Sequence, residues 1–437
     1  MSRPPPSAAR WLLTGILAVC APSTLSRAGA AEPAPKTNAA PPSATTGLDR
    51  GRFWHRDFSS AAAYDLSVQT NREDLRRMLG AVDPRVKPGG FDAAATTVAA
   101  KAGGLVWEWT RWPVFPGVHA EGIHLRPEWT PAARVVVVPD ADQTPEMLAG
   151  LAPGLPPERQ IVRRLAEQGC EVLCLAILDR QAPKPAAPGT GPEAPGGTVP
   201  PPSQTGASRR DQIALQAWPW GRHVLGYEVE EVFAAIDALN SLTNRAGTNA
   251  CKTGLVGYGE GGWIALFAAA LDPRVAATLA SGCFGPAVTG SGVLPCRTLF
   301  GFSREFAPAE VASLVTPRAL VIEFSTPPDA GGEDPDYQPV EDEFDRARAL
   351  LRRGDDAGWV SLRLTSGNEG RPTVPGSDRA LVDLLYDLGL KLERLKPVAQ
   401  DPPAVALPAH LAGRQERLFE QFQAFTRSLA AQSQPNP

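Results

Sequence analysis

Apolar and polar residues alternate with a period of two along Leu105-Val-Trp-Glu-Trp-Thr-Arg-Trp112, which predicts an edge strand. Val118 to Leu125 repeats the pattern and is its expected hairpin partner. Arg134 opens a run that is continuously apolar through Val138, as a strand covered on both faces requires. Pro156 to Gln168 reads as a helix, with Pro at its start and Gly169 as its stop, and Val172 to Ile177 as the next strand. Val229, Val232, Phe233, Ile236 and Leu239 recur at helical spacing. Further strands are predicted at Thr253 to Val256, Val275 to Ala280, Arg318 to Phe324 and Trp359 to Leu364. Helices are predicted at Gly262 to Leu271, Asp342 to Arg352 and Asp378 to Leu392. Such β-α alternation implies an α/β fold: a mostly parallel sheet with helices on both faces and antiparallel strands at the N-terminal edge.

Proline marks where this pattern stops. The chain holds 45 Pro in 437 residues, about twice the usual share, and the excess gathers in a few stretches. Residues 1–30 carry Arg3 and Arg10, a short apolar run from Trp11 to Ala21 and the A-x-A site Ala28-Gly29-Ala30, the form of a secretory signal peptide. A membrane anchor is the alternative. Residues 31–47 read as a disordered leader, 48–100 as a helical N-terminal extension, and 101–395 as the α/β domain, interrupted by a disordered Pro-rich insertion at 181–209. Residues 396–437 form a Pro-rich segment and an amphipathic helix with Leu418, Phe419, Phe422, Phe425 and Leu429 on one face. An exported protein, periplasmic or extracellular, with no transmembrane segment after signal removal is expected.

Charge and chemistry narrow the classes. A formal charge of −4 gives no electrostatic reason to expect a nucleic-acid partner. Cys170, Cys174, Cys251, Cys283 and Cys296 remain after the signal, an odd number matching no zinc spacing. Cys170 and Cys174 are expected as packed thiols, and Cys283–Cys296 is a candidate loop-closing bridge. The five histidines are His55, His119, His124, His223 and His410. His119 and His124 bracket Glu121, a metal-site alternative to ordinary hairpin side chains. No cofactor and no metal are expected.

The densest signal is Thr253 to Gly282, read as strand, glycine turn, helix and strand. Gly257, Gly259 and Gly262 satisfy the dinucleotide fingerprint G-x-G-x-x-G. That motif also needs an acidic residue at the end of the next strand, where this chain has Ala280-Ser281-Gly282-Cys283. A dinucleotide-binding oxidoreductase is therefore the disfavoured alternative. Gly257-Tyr-Gly259-Glu-Gly261 instead has the flanking glycines of the nucleophile elbow G-x-S-x-G, with glycine at the nucleophile position.

The segment, together with Thr316 to Asp329, resembles the alpha/beta-hydrolase superfamily, in the branch of acetyl xylan esterases and dienelactone-hydrolase-like proteins. The resemblance covers roughly residues 100–395. It implies a Ser, then Asp, then His order of catalytic residues. Gly259 stands for the nucleophile, Asp329, Asp334 and Glu323 are acid candidates, and the histidine position, Thr365 to Gly370, holds none. His410 keeps the order but lies after the last helix of the domain. The oxyanion loop would be Pro139 to Gln143, where Asp140 and Asp142 place charge that opposes an oxyanion. Glu260 with Asp140 and Asp142 suggests an acidic cleft, weighed against plain solvated acids. Arg222 and His223, beside Trp218 and Trp220, are further pocket candidates. The resemblance implies a hydrolase-like protein related to carbohydrate esterases, lacking the usual Ser-His-Asp chemistry and acting in binding or as a scaffold. The alternative is an ester hydrolase with an unconventional site. The expected ligand is a carbohydrate or an acylated small molecule.

Overall fold

The computed structural model describes residues 49–87, 90–183, 207–246, 251–285, 294–328, 334–398 and 402–432. The expected signal segment and leader, most of the 181–209 insertion, and Asp329 lie outside them.

The described strands are β1 (Thr97–Ala102), β2 (Leu105–Phe115), β3 (Val118–Pro127), β4 (Ala133–Val138), β5 (Cys170–Leu175), β6 (Thr253–Tyr258), β7 (Val275–Ser281), β8 (Ala319–Glu323) and β9 (Leu362–Thr365). They form one sheet in the order β1-β2-β3-β5-β4-β6-β7-β8-β9. Strands β1, β2, β3 and β5 pair antiparallel in turn, and every pairing from β5 to β9 is parallel. The strand of Leu105 is not the edge, because β1 covers it.

The helices are α1 (Ala61–Ser67), α2 (Gln69–Leu79), α3 (Pro145–Leu148), α4 (Ile161–Glu167), α5 (Arg209–Ala217), α6 (Val224–Ala246), α7 (Glu260–Leu271), α8 (Phe302–Glu305), α9 (Pro308–Val315), α10 (Gln338–Asp356), α11 (Asp378–Asp387) and α12 (Arg414–Gln432). Residues 49–100 thus contain two short helices and the start of a strand. Arg209 already belongs to α5, which Ser208 caps through the N–H of Asp211. Helix α11 ends at Asp387, before Gly389 adopts positive φ.

Strand alternation divides the core in two. Val136, Val138, Leu173, Leu175, Leu255 and Ile322 face the layer holding α6 and α7. Val135, Val137, Val172, Val256, Leu279 and Val321 face α4 and α11. Parallel strands buried on both faces explain the continuous apolar run after Arg134. The apolar stripe of α12 docks on the first layer, where Phe425 stacks on Phe115 with ring centroids 4.5 Å apart.

The chain leaves β4 toward β5 on one side and returns to β6 on the other. The loops after β4 and β6 therefore meet where the winding direction reverses, the place where open α/β sheets bind ligands.

Candidate functional site

Strand β6 ends in Tyr258, and α7 begins at Glu260. Between them Gly259 has φ 58° and ψ −120°, a backbone conformation in which an L-side chain is strained. Its N–H donates to Ser281 O at 3.0 Å, tying the turn to the end of β7. Two residues on, a Cβ at Gly261 would fall on the carbonyl oxygens of Val138 and Pro139. That close approach brings the first turn of α7 against the end of β4. This is the strand-turn-helix geometry of a nucleophile elbow, with glycine at its apex.

A Cβ at Gly259 would overlap Asp140 Oδ1 and come within 2.6 Å of Pro328 Cγ. Asp140 follows β4 and is buried. Its Oδ1 accepts the backbone N–H of Glu260 at 3.1 Å and Arg180 Nη2 at 2.7 Å, while its Oδ2 accepts Arg180 Nη1 at 2.6 Å. Arg180 also donates to Asp142 at 2.8 Å. Burial works against the Arg180 charge, but Asp140, Asp142 and Glu260 outweigh it and raise its pKa. In an elbow, the N–H of the residue after the nucleophile serves the oxyanion hole. Here that N–H belongs to Glu260 and is engaged by a carboxylate.

The Glu260 side chain is buried as well. It accepts Arg297 Nε at 2.6 Å, with Arg180 and Arg210 at 3.6 and 3.8 Å. Arg210 is fully buried and forms a fork-to-fork pair with Glu228 at 2.6 and 2.8 Å. Asp140, Glu228 and Glu260 are thus met by Arg180, Arg210 and Arg297. The expected acidic cleft is instead an ion-pair network, in which Asp142 also sits on Arg180. Its arginines lack any motif spacing and became legible only in three dimensions.

Beside Gly259 lies a cavity of about 340 Å³, lined by Trp263, Phe284, Phe324, Val340, Ser325 and Glu323 among others. Glu323 is buried and fully engaged. It accepts Ser281 Oγ at 2.6 Å, Gly376 N at 2.7 Å, Ser377 N at 2.8 Å and Ser377 Oγ at 2.6 Å. It therefore ties the end of β7 to the cap of α11. Ser281 Oγ also shares a hydrogen bond with Ser325 Oγ at 2.8 Å. Asp334 is exposed and accepts Thr326 Oγ1 at 3.3 Å. The loop after β9, Ser366 to Gly370, carries no histidine, and His410 is exposed in a short 3-10 helix, Ala409–Gly413.

The remaining candidates lie apart from this cavity. Arg222 pairs with Asp83 through both of its oxygens at 2.6 Å. His223 sits at the start of α6, its Nδ1 accepting Leu225 N at 3.3 Å and its Nε2 donating to Pro295 O at 3.1 Å. Burial pulls its pKa down to about 4, so it is a neutral cap. Strand alternation sends His124 to the face opposite His119 and Glu121. Glu121 instead pairs with Arg417 at 2.8 Å. Among the described residues, no group of three or more His, Cys, Asp or Glu is placed to hold a metal ion. Cys170, Cys174, Cys251, Cys283 and Cys296 are all free thiols, so Cys283 and Cys296 form no bridge. Cys170 and Cys174 are buried. The dinucleotide alternative finds the α7 N-terminus already occupied by Asp140, and Ser281-Gly282-Cys283 supplies no acid for a ribose.

Residues 120–286 match the model of the dienelactone hydrolase family. The solved methylesterase BT1017 is 14% identical over 86% of this chain and 77% of its own, with a TM-score of 0.51. A glucuronoyl esterase from Solibacter usitatus is 13% identical, covering 76% of this chain and 94% of its own at a TM-score of 0.49. A protein assigned as an acetyl xylan esterase, from Bacteroides fragilis NCTC 9343, is 14% identical over 76% of this chain and 84% of its own, at 0.47. No curated protein matches the chain in sequence. The sheet and its helices are an alpha/beta-hydrolase fold with antiparallel strands at one edge. Within it, residues 120–286 are the part similar to the dienelactone hydrolase family.

Proposed function

We propose that this protein is an exported, non-catalytic relative of carbohydrate esterases that acts by binding or as a scaffold. One observation carries the reading. The place a nucleophile side chain would occupy at Gly259 is filled by the Asp140 carboxylate, which also engages the Glu260 N–H. A hydrolase needs a nucleophile there and a free donor for the developing oxyanion. The cavity beside Gly259 remains large enough for a small acylated or sugar ligand. The test is turnover of p-nitrophenyl acetate and of acetylated xylo-oligosaccharides by the purified chain. Rates equal to buffer are expected. Saturable turnover lost with a cavity substitution would overturn the reading.

A second reading is an ester hydrolase with an unconventional site. It is favoured by the Ser325–Ser281–Glu323 hydrogen-bond chain, which leads from the cavity wall to a buried carboxylate. If this chain activates Ser325, the Ser325→Ala protein loses a turnover that the unaltered protein shows.

A further inference from the structure

A second cleft lies at the opposite edge of the parallel sheet. Arg134, at the head of β4, pairs in register with Thr253 at the start of β6, whereas Val138 pairs with Gly257 near its end. The cleft has a volume of about 650 Å³ and is lined by Phe91, Glu108, His124, Trp129, Arg134 and Glu171 among others.

Its floor is an alternating row of charges on one sheet face. Arg126 donates to Glu108 at 3.2 and 3.3 Å. His124 lies between two carboxylates, Nδ1 at 3.0 Å from Glu108 Oε2 and Nε2 at 3.0 Å from Glu171 Oε1. A neutral imidazole has a single N–H, so only the imidazolium donates to both. Arg134 Nε donates to Glu171 Oε2 at 2.8 Å. The row therefore sets three cations against two carboxylates and keeps one positive charge in excess at the floor, while the third lining carboxylate, Glu128, is exposed to solvent.

Arg134 is the group left with work to do. It is only 4% exposed and lines the cleft. Its guanidinium uses Nε, and among the described residues its two terminal nitrogens donate to no acceptor, although they are not sealed from the cleft. Guanidinium donors that reach the cleft in this way are open to an acceptor on a ligand. A planar carboxylate matches their fork, and one negative charge matches the excess on the floor. At the rim, Trp129 is 54% exposed, with one edge packed on Gly104, and offers a flat apolar surface to a ring.

We propose that this cleft binds a carboxylate-bearing sugar, a uronate, with its carboxylate on the Arg134 guanidinium and its ring against Trp129. The site stands independently of the reading at Gly259. Calorimetric titration of the full chain with D-glucuronate and D-galacturonate tests it, alongside glucose, acetate, benzoate and inorganic phosphate. A uronate is expected to bind at least about tenfold more tightly than glucose or acetate, since each lacks one of the two contacts. Arg134→Lys keeps the charge beside Glu171 but loses the fork, and is expected to weaken uronate binding about tenfold or more. Trp129→Ala, a surface change, is expected to weaken it without altering the thermal midpoint. Equal binding of acetate and uronate, tighter binding of phosphate or benzoate, or an unchanged affinity in either variant overturns the proposal.

Discussion

The Asp140 carboxylate accepts the backbone N–H of Glu260 at 3.1 Å, so the donor that opens α7 is satisfied from within the protein. Arg180 clamps the same carboxylate through both of its oxygens. An acid that reads from sequence as harmful to an oxyanion thus takes the oxyanion's place.

This arrangement predicts that Gly259→Ser alone restores no esterase activity. The new Cβ overlaps Asp140 Oδ1, and the backbone at φ 58° and ψ −120° costs about 1–3 kcal/mol for a non-glycine residue. A lower thermal midpoint with unchanged p-nitrophenyl acetate background is expected. Activity appearing in this single variant would contradict the closure by Asp140.

The Arg210–Glu228 pair is buried on both sides. Removing one partner leaves the other charge uncompensated, at a cost of about 3–5 kcal/mol. Arg210→Met is expected to lower the urea midpoint strongly. The double variant Arg210→Met/Glu228→Leu is expected to recover much of the loss. Equal midpoints for the single and double variants would show that the pair is not coupled.

Two histidines give opposite pH dependences. Burial depresses His223 to about 4, below its ordinary 6.5. Between those values the unfolded chain takes up a proton that the folded chain refuses. Stability is therefore lost as pH falls from 6.5 toward 4, by on the order of 3 kcal/mol. Burial also opposes the charge on His124, but the hydrogen bonds it donates to Glu108 and Glu171 outweigh it and raise the pKa. Its contribution is complete below 6.5 and is lost as pH rises through the raised value. Urea midpoints from about pH 3 to about pH 9 are expected to show a shallower acid limb in His223→Asn and a shallower alkaline limb in His124→Gln.

Helix α12 belongs to the core. Phe422 is 1% exposed and stacks with Tyr227 at a centroid distance of 5.3 Å. Phe422→Ala is expected to destabilise by about 3–5 kcal/mol, whereas Arg427→Ala on the exposed face is expected to leave the unfolding midpoint nearly unchanged. Similar midpoints for the two variants would mean that α12 is not docked in solution.

The periods of two and 3.6 located most strands and helices, because each element buries a continuous face whose spacing is local. Strand β1 escaped that reading. Thr97-Val-Ala-Ala-Lys-Ala102 has no clear apolar alternation, since none of its positions is buried on either face. The elbow was legible because its demands are also local: Gly259 for the positive φ and Gly261 for the approach to Val138 and Pro139. The absence of histidine after β9 was legible for the same reason, as residue type and order suffice to state it.

What residue order could not contain is which charges meet. Asp140 and Glu260 are 120 positions apart, yet one hydrogen bond joins them. Arg180, Arg210 and Arg297 come from three separate segments and converge on their carboxylates. Arg134 reads as the polar head of an apolar run, and Glu108, His124 and Glu171 as isolated charges on separate strands. Local composition decides an element's period and its turns. Pairing across the sheet decides whether a buried charge is cancelled, as at Asp140, or left with donors to offer, as at Arg134.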